Sequence, residues 1–190
     1  MEIQKIVSNK NKIIDGPLLI EENIYTDERG FFVESWNQRL FNECIKKEIN
    51  FVQDNHSYSK KGVLRGLHYQ KNPYAQAKLV RCIQGEILDV IVDIRKNSES
   101  FMEWATIKLI AKEKKQLWIP IGFAHGFLTL SEEAELFYKT SEYWNKDSEV
   151  TLNWADPSLA INWGNTKNII LSKKDKEGLL SRDLEEFNLL

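Results

Sequence analysis

The chain has 190 residues, 42% of them hydrophobic and 28% charged, which suits one soluble domain with a real core. A net charge of −2 and the lack of a basic run argue against a nucleic-acid partner. No run of roughly 18 apolar residues predicts a membrane helix, and the opening MEIQKIVSNKNK lacks the apolar stretch of a signal peptide, so a cytoplasmic protein is expected.

Turn signals recur at short intervals: DERG at 27–30, KKG at 60–62, KNP at 71–73, QG at 84–85, RKNSES at 95–100, KEKK at 112–115 and PIG at 120–122. Runs rich in Val, Ile, Phe, Trp and Tyr separate them, the rhythm of a β-sandwich or barrel. The first expected strand is 31–36. NQRLFNECIKKEI then predicts a helix over 37–49, with Asn37 as N-cap and Leu40, Phe41, Cys44, Ile45 and Ile49 as one apolar stripe. Strands are expected at 51–58, 63–70, 77–84, 86–94, 102–111, 116–119, 125–130 and 134–143. EILDVIVDI is the clearest: Leu88, Val90, Val92 and Ile94 share a face that must meet a core, while Ile87, Asp89, Ile91 and Asp93 share the other. SKKDKEGLLSRDLEEF, 172–187, predicts a helical tail, with Ser172 and Asp175 resembling a capping box and Gly178 weakening it. Cys44 and Cys82 read as buried thiols of a reducing compartment. No repeat or linker divides the chain, so residues 1–190 are expected to form a single, mainly β domain.

Four groups of residues carry possible chemistry. In VLRGLHYQ, His68 has the right residue type for a general base near neutral pH, or it is a histidine hydrogen-bonded inside the barrel. No H-x-H pair exists, and His56 and His125 stand alone, so a His-rich metal site is not expected; a mixed His/carboxylate site stays open. In FVQDNHSYS, Gln53 and Asn55 share one strand face, suited to a polar ligand or to solvent. Arg29, Arg65, Lys78 and Arg81 would bind an anion if they faced inward. Lys78 and Arg81 fall on opposite faces of one strand, and Arg65 and His68 differ in parity unless Gly66 hosts a bulge. Tyr138 could donate a proton and Trp144 could stack on a ring, or both could be packing aromatics.

DERGFFVESWN, FVQDNHSYSKKGVLRGLHYQ, QAKLVRCIQGEILDVIVDIRKNSESF, QLWIPIGFAHGF and LSKKD, in this order between about residues 17 and 180, together resemble the dTDP-4-dehydrorhamnose 3,5-epimerase family. The resemblance implies a cupin-like (jelly-roll) β-barrel that uses no metal or other cofactor. It implies a homodimer with exchanged N-terminal strands, acting on a dTDP-4-keto-6-deoxyhexose. By the same resemblance His68 is the catalytic base, Asp175 the carboxylate that orients it, Lys78 the cation beside the C4 oxygen and Tyr138 the acid on the opposite face of the sugar. Arg29 and Arg65 are implied diphosphate ligands, and Glu34, Gln53, Asn55, His125 and Glu149 further substrate contacts. Tyr25 and Trp144 fall where the family stacks aromatics on thymine; a tyrosine is usual at the second position, so Trp144 is a departure. Gly164 likewise stands where a proline is usual. An epimerase of one carbon only, a non-catalytic sugar-nucleotide binder and a metal-dependent cupin are the rival readings.

Overall fold

The computed structural model describes residues 2–184. Its strands are β1 (Glu2–Val7), β2 (Ile13–Glu21), β3 (Ile24–Asp27), β4 (Gly30–Val33), β5 (Gln53–Lys60), β6 (Leu64–Gln70), β7 (Lys78–Gln84), β8 (Glu86–Asp93), β9 (Trp104–Ile110), β10 (Gln116–Ile119), β11 (Phe123–Thr129), β12 (Glu133–Thr140) and β13 (Glu149–Thr151). Two short helices are α1 (Gln38–Ile45) and α2 (Lys173–Lys176). A six-stranded sheet runs β1-β2-β10-β7-β12-β5 and a five-stranded sheet β13-β6-β11-β8-β9, with β3-β4 as a separate hairpin.

Side chains from both sheets meet in one interior core: Val80, Leu117 and Leu136 from the first, Ile87, Ile91 and Phe127 from the second. This is the two-sheet closure of the cupin-like jelly roll expected above. Strand β8 is buried on both faces. Val90, Val92 and Ile94 belong to a second core beneath the C-terminal segment, with Leu152, Leu159 and Trp163, so Asp89 and Asp93 on the opposite face are buried too. A third cluster lies where α1 crosses the outer face of the six-stranded sheet; Phe41 packs there against Trp36, Phe51 and Trp118.

Helix α1 begins as expected, with the Leu40 amide donating to the Asn37 side chain. It stops four residues before Ile49 because Lys46 turns left-handed (φ 54°), and Leu40 faces solvent instead of joining the apolar stripe. Strands β1, β2, β3 and β13 were not expected from the sequence. Gly16 and Pro17 disguise β2: its pairing with β1 jumps from Ile13 to Leu18, which places the proline at an irregularity, where it needs no ladder N–H. DERG is the two-residue turn of the β3–β4 hairpin.

The helical tail over 172–187 is a correction. Only one turn forms, capped by Ser172. Leu179 then pairs in extended form, its amide donating to the Thr151 carbonyl at 2.8 Å and its carbonyl accepting from Asn153 at 2.7 Å. Gly178 lies so close that a Cβ there would sit 2.9 Å from Asn153 Cα. Backbone pairing outcompetes helix here, and a 3₁₀ turn follows at Ser181–Asp183. Residues 185–187 of the expected helix lie outside the described residues.

The bulge at Gly66 is present. His68 pairs with His125 and Arg65 with Phe127, so three steps on β6 match two on β11. Leu67 and Tyr69 point to the outer core, while Arg65 and His68 line one cleft. Gly66 adopts φ +106°, and a Cβ there would lie 2.6 Å from the His125 carbonyl oxygen. Gly66→Ala is therefore expected to lower stability by about 2–4 kcal/mol through backbone strain and overpacking, read by denaturant unfolding. An unchanged midpoint would mean that the bulge does not need glycine.

Candidate active site

The cleft opens between the sheets on the side of β5, β12 and β13. A recess of about 100 Å³ adjoins a larger space of about 510 Å³. His68, Lys78, Tyr138, Trp144 and Glu149 line both. Two of them arrive by strand alternation: Lys78 shares the inward face of β7 with Val80 and Cys82, and Tyr138 that of β12 with Ala134 and Leu136.

His68 Nε2 donates to Asp175 Oδ1 at 2.6 Å. Asp175 comes from α2, where its second oxygen accepts from Ser172 Oγ at 2.6 Å. Burial alone would raise the Asp175 pKa, but the hydrogen bonds from His68 and Ser172 outweigh it and hold the carboxyl below its usual range. Burial pulls His68 below its ordinary 6.5, against the pull of Asp175. The pair is therefore a neutral imidazole on a carboxylate, with Nδ1 left as the basic nitrogen.

Lys78 is buried, its Nζ donating to the His68 carbonyl at 3.3 Å. Burial brings its pKa down to about 8, opposed by the negative charges of Asp89 and Glu149. Tyr138 is raised, chiefly by burial, and so keeps its proton through neutral pH. His125 Nε2 and the buried Asp89 Oδ2 share a hydrogen bond of 2.9 Å, and burial raises the Asp89 carboxyl above its ordinary range. Glu149 forms a 2.8 Å ion pair with Lys174, which outweighs burial and lowers the Glu149 pKa.

Gln53 and Asn55 line the recess, joined by an amide–amide hydrogen bond of 2.9 Å. Trp144 stands at the rim, its backbone amide donating to Gln53 Oε1 at 3.0 Å and its indole bonded to Glu149. Arg65 enters the larger space and is held by Ser59 Oγ and the Tyr58 carbonyl, each at 3.0 Å. Arg81 is excluded: it lies on the outer face over the Phe137 ring.

Tyr25, Arg29 and Glu34 are not brought to this cleft. Tyr25 and Arg29 occupy the exposed β3–β4 hairpin, and Glu34 follows it, accepting from Asn37 Nδ2. Sequence reasoning missed Lys174, Ser172, Ser57 and Asp89 as parts of the site. Lys174 and Ser172 flank Asp175, but only the fold shows that α2 reaches β6. Asp89 had a signal, a carboxylate in an otherwise apolar strand. Among the described residues no three His, Cys, Asp or Glu side chains gather as a metal set.

A jelly-roll barrel that holds a neutral imidazole, a protonated phenol and a buried ammonium in one cleft has the groups of an acid–base enzyme of the cupin-like class. The family model described as dTDP-4-dehydrorhamnose 3,5-epimerase matches residues 11–183. A dTDP-4-dehydrorhamnose 3,5-epimerase of Shigella flexneri is 53% identical over 174 residues, 92% of this chain and 96% of that one. A crystal structure of the Legionella pneumophila enzyme in complex with dTDP-4-keto-L-rhamnose superposes with a TM-score of 0.91 at 41% identity, covering 100% of both chains. A 3′-monoepimerase of Streptomyces bikiniensis, solved with dTDP-quinovose, gives 0.84 at 31% identity over 89% of this chain and 85% of that one. The chain belongs to the dTDP-4-dehydrorhamnose 3,5-epimerase family.

A reaction that uses neutral His68 and charged Lys78 has a bell-shaped pH profile. Activity rises with pH through a value below 6.5 as His68 loses its proton, and falls near about 8 as Lys78 loses its own. The pH dependence of kcat/KM reads both limbs; activity undiminished well above pH 8 would contradict a required Lys78 ammonium.

Proposed function

We propose that the chain, folded as a single domain, is a dTDP-4-dehydrorhamnose 3,5-epimerase that converts dTDP-4-dehydro-6-deoxy-D-glucose to dTDP-4-dehydro-L-rhamnose. The observation that carries this reading is the shared cleft of His68–Asp175, Lys78 and Tyr138. The complex of the Legionella relative with dTDP-4-keto-L-rhamnose supports the substrate class. The higher identity to 3,5-epimerases than to the 3′-monoepimerase supports inversion at both carbons.

The hydrogens at C3 and C5 flank a C4 ketone and are acidic for that reason. His68 takes one of them, and the electron pair of the broken C–H bond moves to the C4 oxygen as an enolate. Lys78 stabilises that oxygen in a site that excludes water, where charge contacts are strongest. Asp175 holds the imidazolium that forms. Tyr138 returns a proton to the carbon from the other face, and the centre inverts. Protons and electrons balance with no metal or redox cofactor. Arg65 holds the diphosphate by its guanidinium fork, Gln53, Asn55, His125 and Glu149 contact the substrate's polar groups, and Trp144 offers its ring to the thymine.

The working form is a homodimer. The β3–β4 hairpin exposes Tyr25 (62%), Phe31 (58%) and Phe32 (67%), and β1 is an exposed sheet edge, an arrangement that invites a second copy. Reaching across, the hairpin brings Tyr25, Arg29 and Glu34 to the partner's cleft, and the N-terminal strands exchange contacts between subunits. The enzyme works in the cytoplasm; among the described residues no helix is long and apolar enough to cross a membrane, and Cys44 and Cys82 are unpaired.

His68→Ala is expected to lower kcat by about 10²–10⁴-fold, the usual share of a general base, with the barrel's circular dichroism unchanged. Wild-type turnover in that variant would overturn the assignment. In Tyr138→Phe kcat falls by a similar factor while KM for the nucleotide sugar stays within a few-fold; an unchanged kcat would remove Tyr138 from the acid role.

A further inference from the structure

Gln70 lies two residues after His68 on β6, on the face that lines the recess. It is 4% exposed, and packing alone would be served by an apolar side chain. Its amide bonds at both ends. Nε2 donates to the Tyr74 carbonyl at 2.6 Å and to the Tyr143 carbonyl at 3.1 Å. Oε1 accepts from the Asn145 amide at 2.7 Å. Two carbonyls and one N–H fix which way round this side chain sits. The bonds to Tyr143 and Asn145 bracket Trp144, one on the residue before it and one on the residue after. The Trp144 amide itself donates to Gln53 Oε1 at 3.0 Å. Three successive residues are thus held through their backbone by two glutamines of the recess wall.

We infer that Gln70 is a positioning residue for nucleotide binding: it clamps the backbone on both sides of Trp144 and so sets where that ring stands at the cleft rim. This inference rests on the reading that Trp144 meets the thymine. The Trp144 residue is 56% exposed, so packing alone does not fix its direction. The indole reaches Glu149 from this position, a contact that also depends on where the backbone stands. A ring held in place before the ligand arrives binds a base better than one that must be ordered on binding. The ends of the 141–148 segment are tied down by other bonds. The Ser141 amide donates to the Ala77 carbonyl at 3.0 Å, and the Lys71 amide to the Ser148 carbonyl at 2.8 Å. Gln70 therefore governs the middle of the segment, where Trp144 stands, and these bonds govern its attachment to the barrel.

The test measures dTDP affinity by calorimetry, and steady-state kinetics, on the full-length chain. It compares wild type, Gln70→Met, Gln70→Glu, Trp144→Ala and the Gln70→Met/Trp144→Ala double variant. Methionine is an unbranched apolar side chain that lacks all three bonds. Glutamate keeps an acceptor for Asn145 but turns an acceptor toward the Tyr74 and Tyr143 carbonyls, and it serves should the methionine variant fold poorly. Trp144→Ala is expected to weaken dTDP by about 10-fold or more, the scale of one base–aromatic stack. Each Gln70 variant is expected to weaken dTDP and raise KM by about 5–10-fold, with kcat within about twofold of wild type. In the Trp144→Ala background Gln70→Met is expected to add no further loss, because both substitutions remove one effect. Wild-type dTDP affinity in the folded Gln70 variants, a fall in kcat at unchanged KM, or additive losses in the double variant would overturn the inference. So would failure of both Gln70 variants to fold beside a folded wild type. If Trp144→Ala itself binds dTDP as tightly as wild type, the stacking reading falls and takes this inference with it.

Discussion

The hydrogen bond between His68 and Asp175 joins residues 107 positions apart, and the rest of the site is organised around it. The same carboxylate oxygen also accepts from the Gly66 amide at 3.3 Å. One group therefore holds both the bulge that aims His68 inward and the ring that the bulge presents. Ser172, as N-cap of the single turn α2, pins the other oxygen and so fixes where the carboxylate sits. A longer helix would carry Gly178 away from Asn153 and Leu179 away from its pairing with the strand end near Thr151. The brevity of α2 is thus part of how the His68–Asp175 pair is built.

Charge is the second organising constraint. The barrel interior is apolar, yet Lys78, Asp89 and His125 are buried within it and Asp175 at its edge. Such groups persist only as opposed sets. Asp175 and Glu149 line one space with His68, His125, Lys78 and Lys174, and Asp89 lies behind the His125 ring. Burial pushes Lys78 down to about 8 and His68 below its ordinary value. At pH 7 Lys78 is therefore charged and His68 neutral, the pairing that the proposed proton abstraction requires. Tyr138 is pushed the other way by the same burial, which keeps its proton in place through neutral pH.

Much of this architecture was legible in the sequence, because period-two alternation in β7, β8 and β12 fixes which side chains meet the core. The parity conflict between Arg65 and His68 pointed to the Gly66 bulge. Asn37 marked the start of α1. What stayed hidden depended on distant partners. β2 was masked by Gly16 and Pro17, whose irregularity makes sense only against β1. The helical tail was overestimated because its competitor, pairing with Thr151 and Asn153, is not local. Asp175 read by itself is a helix N-terminal residue; the family resemblance gave it a role, and the fold put it beside His68. Tyr25, Arg29 and Glu34 were grouped with the cleft by resemblance, whereas a single copy of the chain leaves them on its outside.

The most direct measurement is deuterium incorporation. In heavy water, with dTDP-4-dehydro-6-deoxy-D-glucose as substrate, proton NMR of the sugar reports each exchanged carbon. A base and an acid flanking the ring of a C4 ketone predict solvent deuterium at both C3 and C5, with the product in the L-rhamno configuration. Deuterium at one carbon alone, or at neither, would contradict the account.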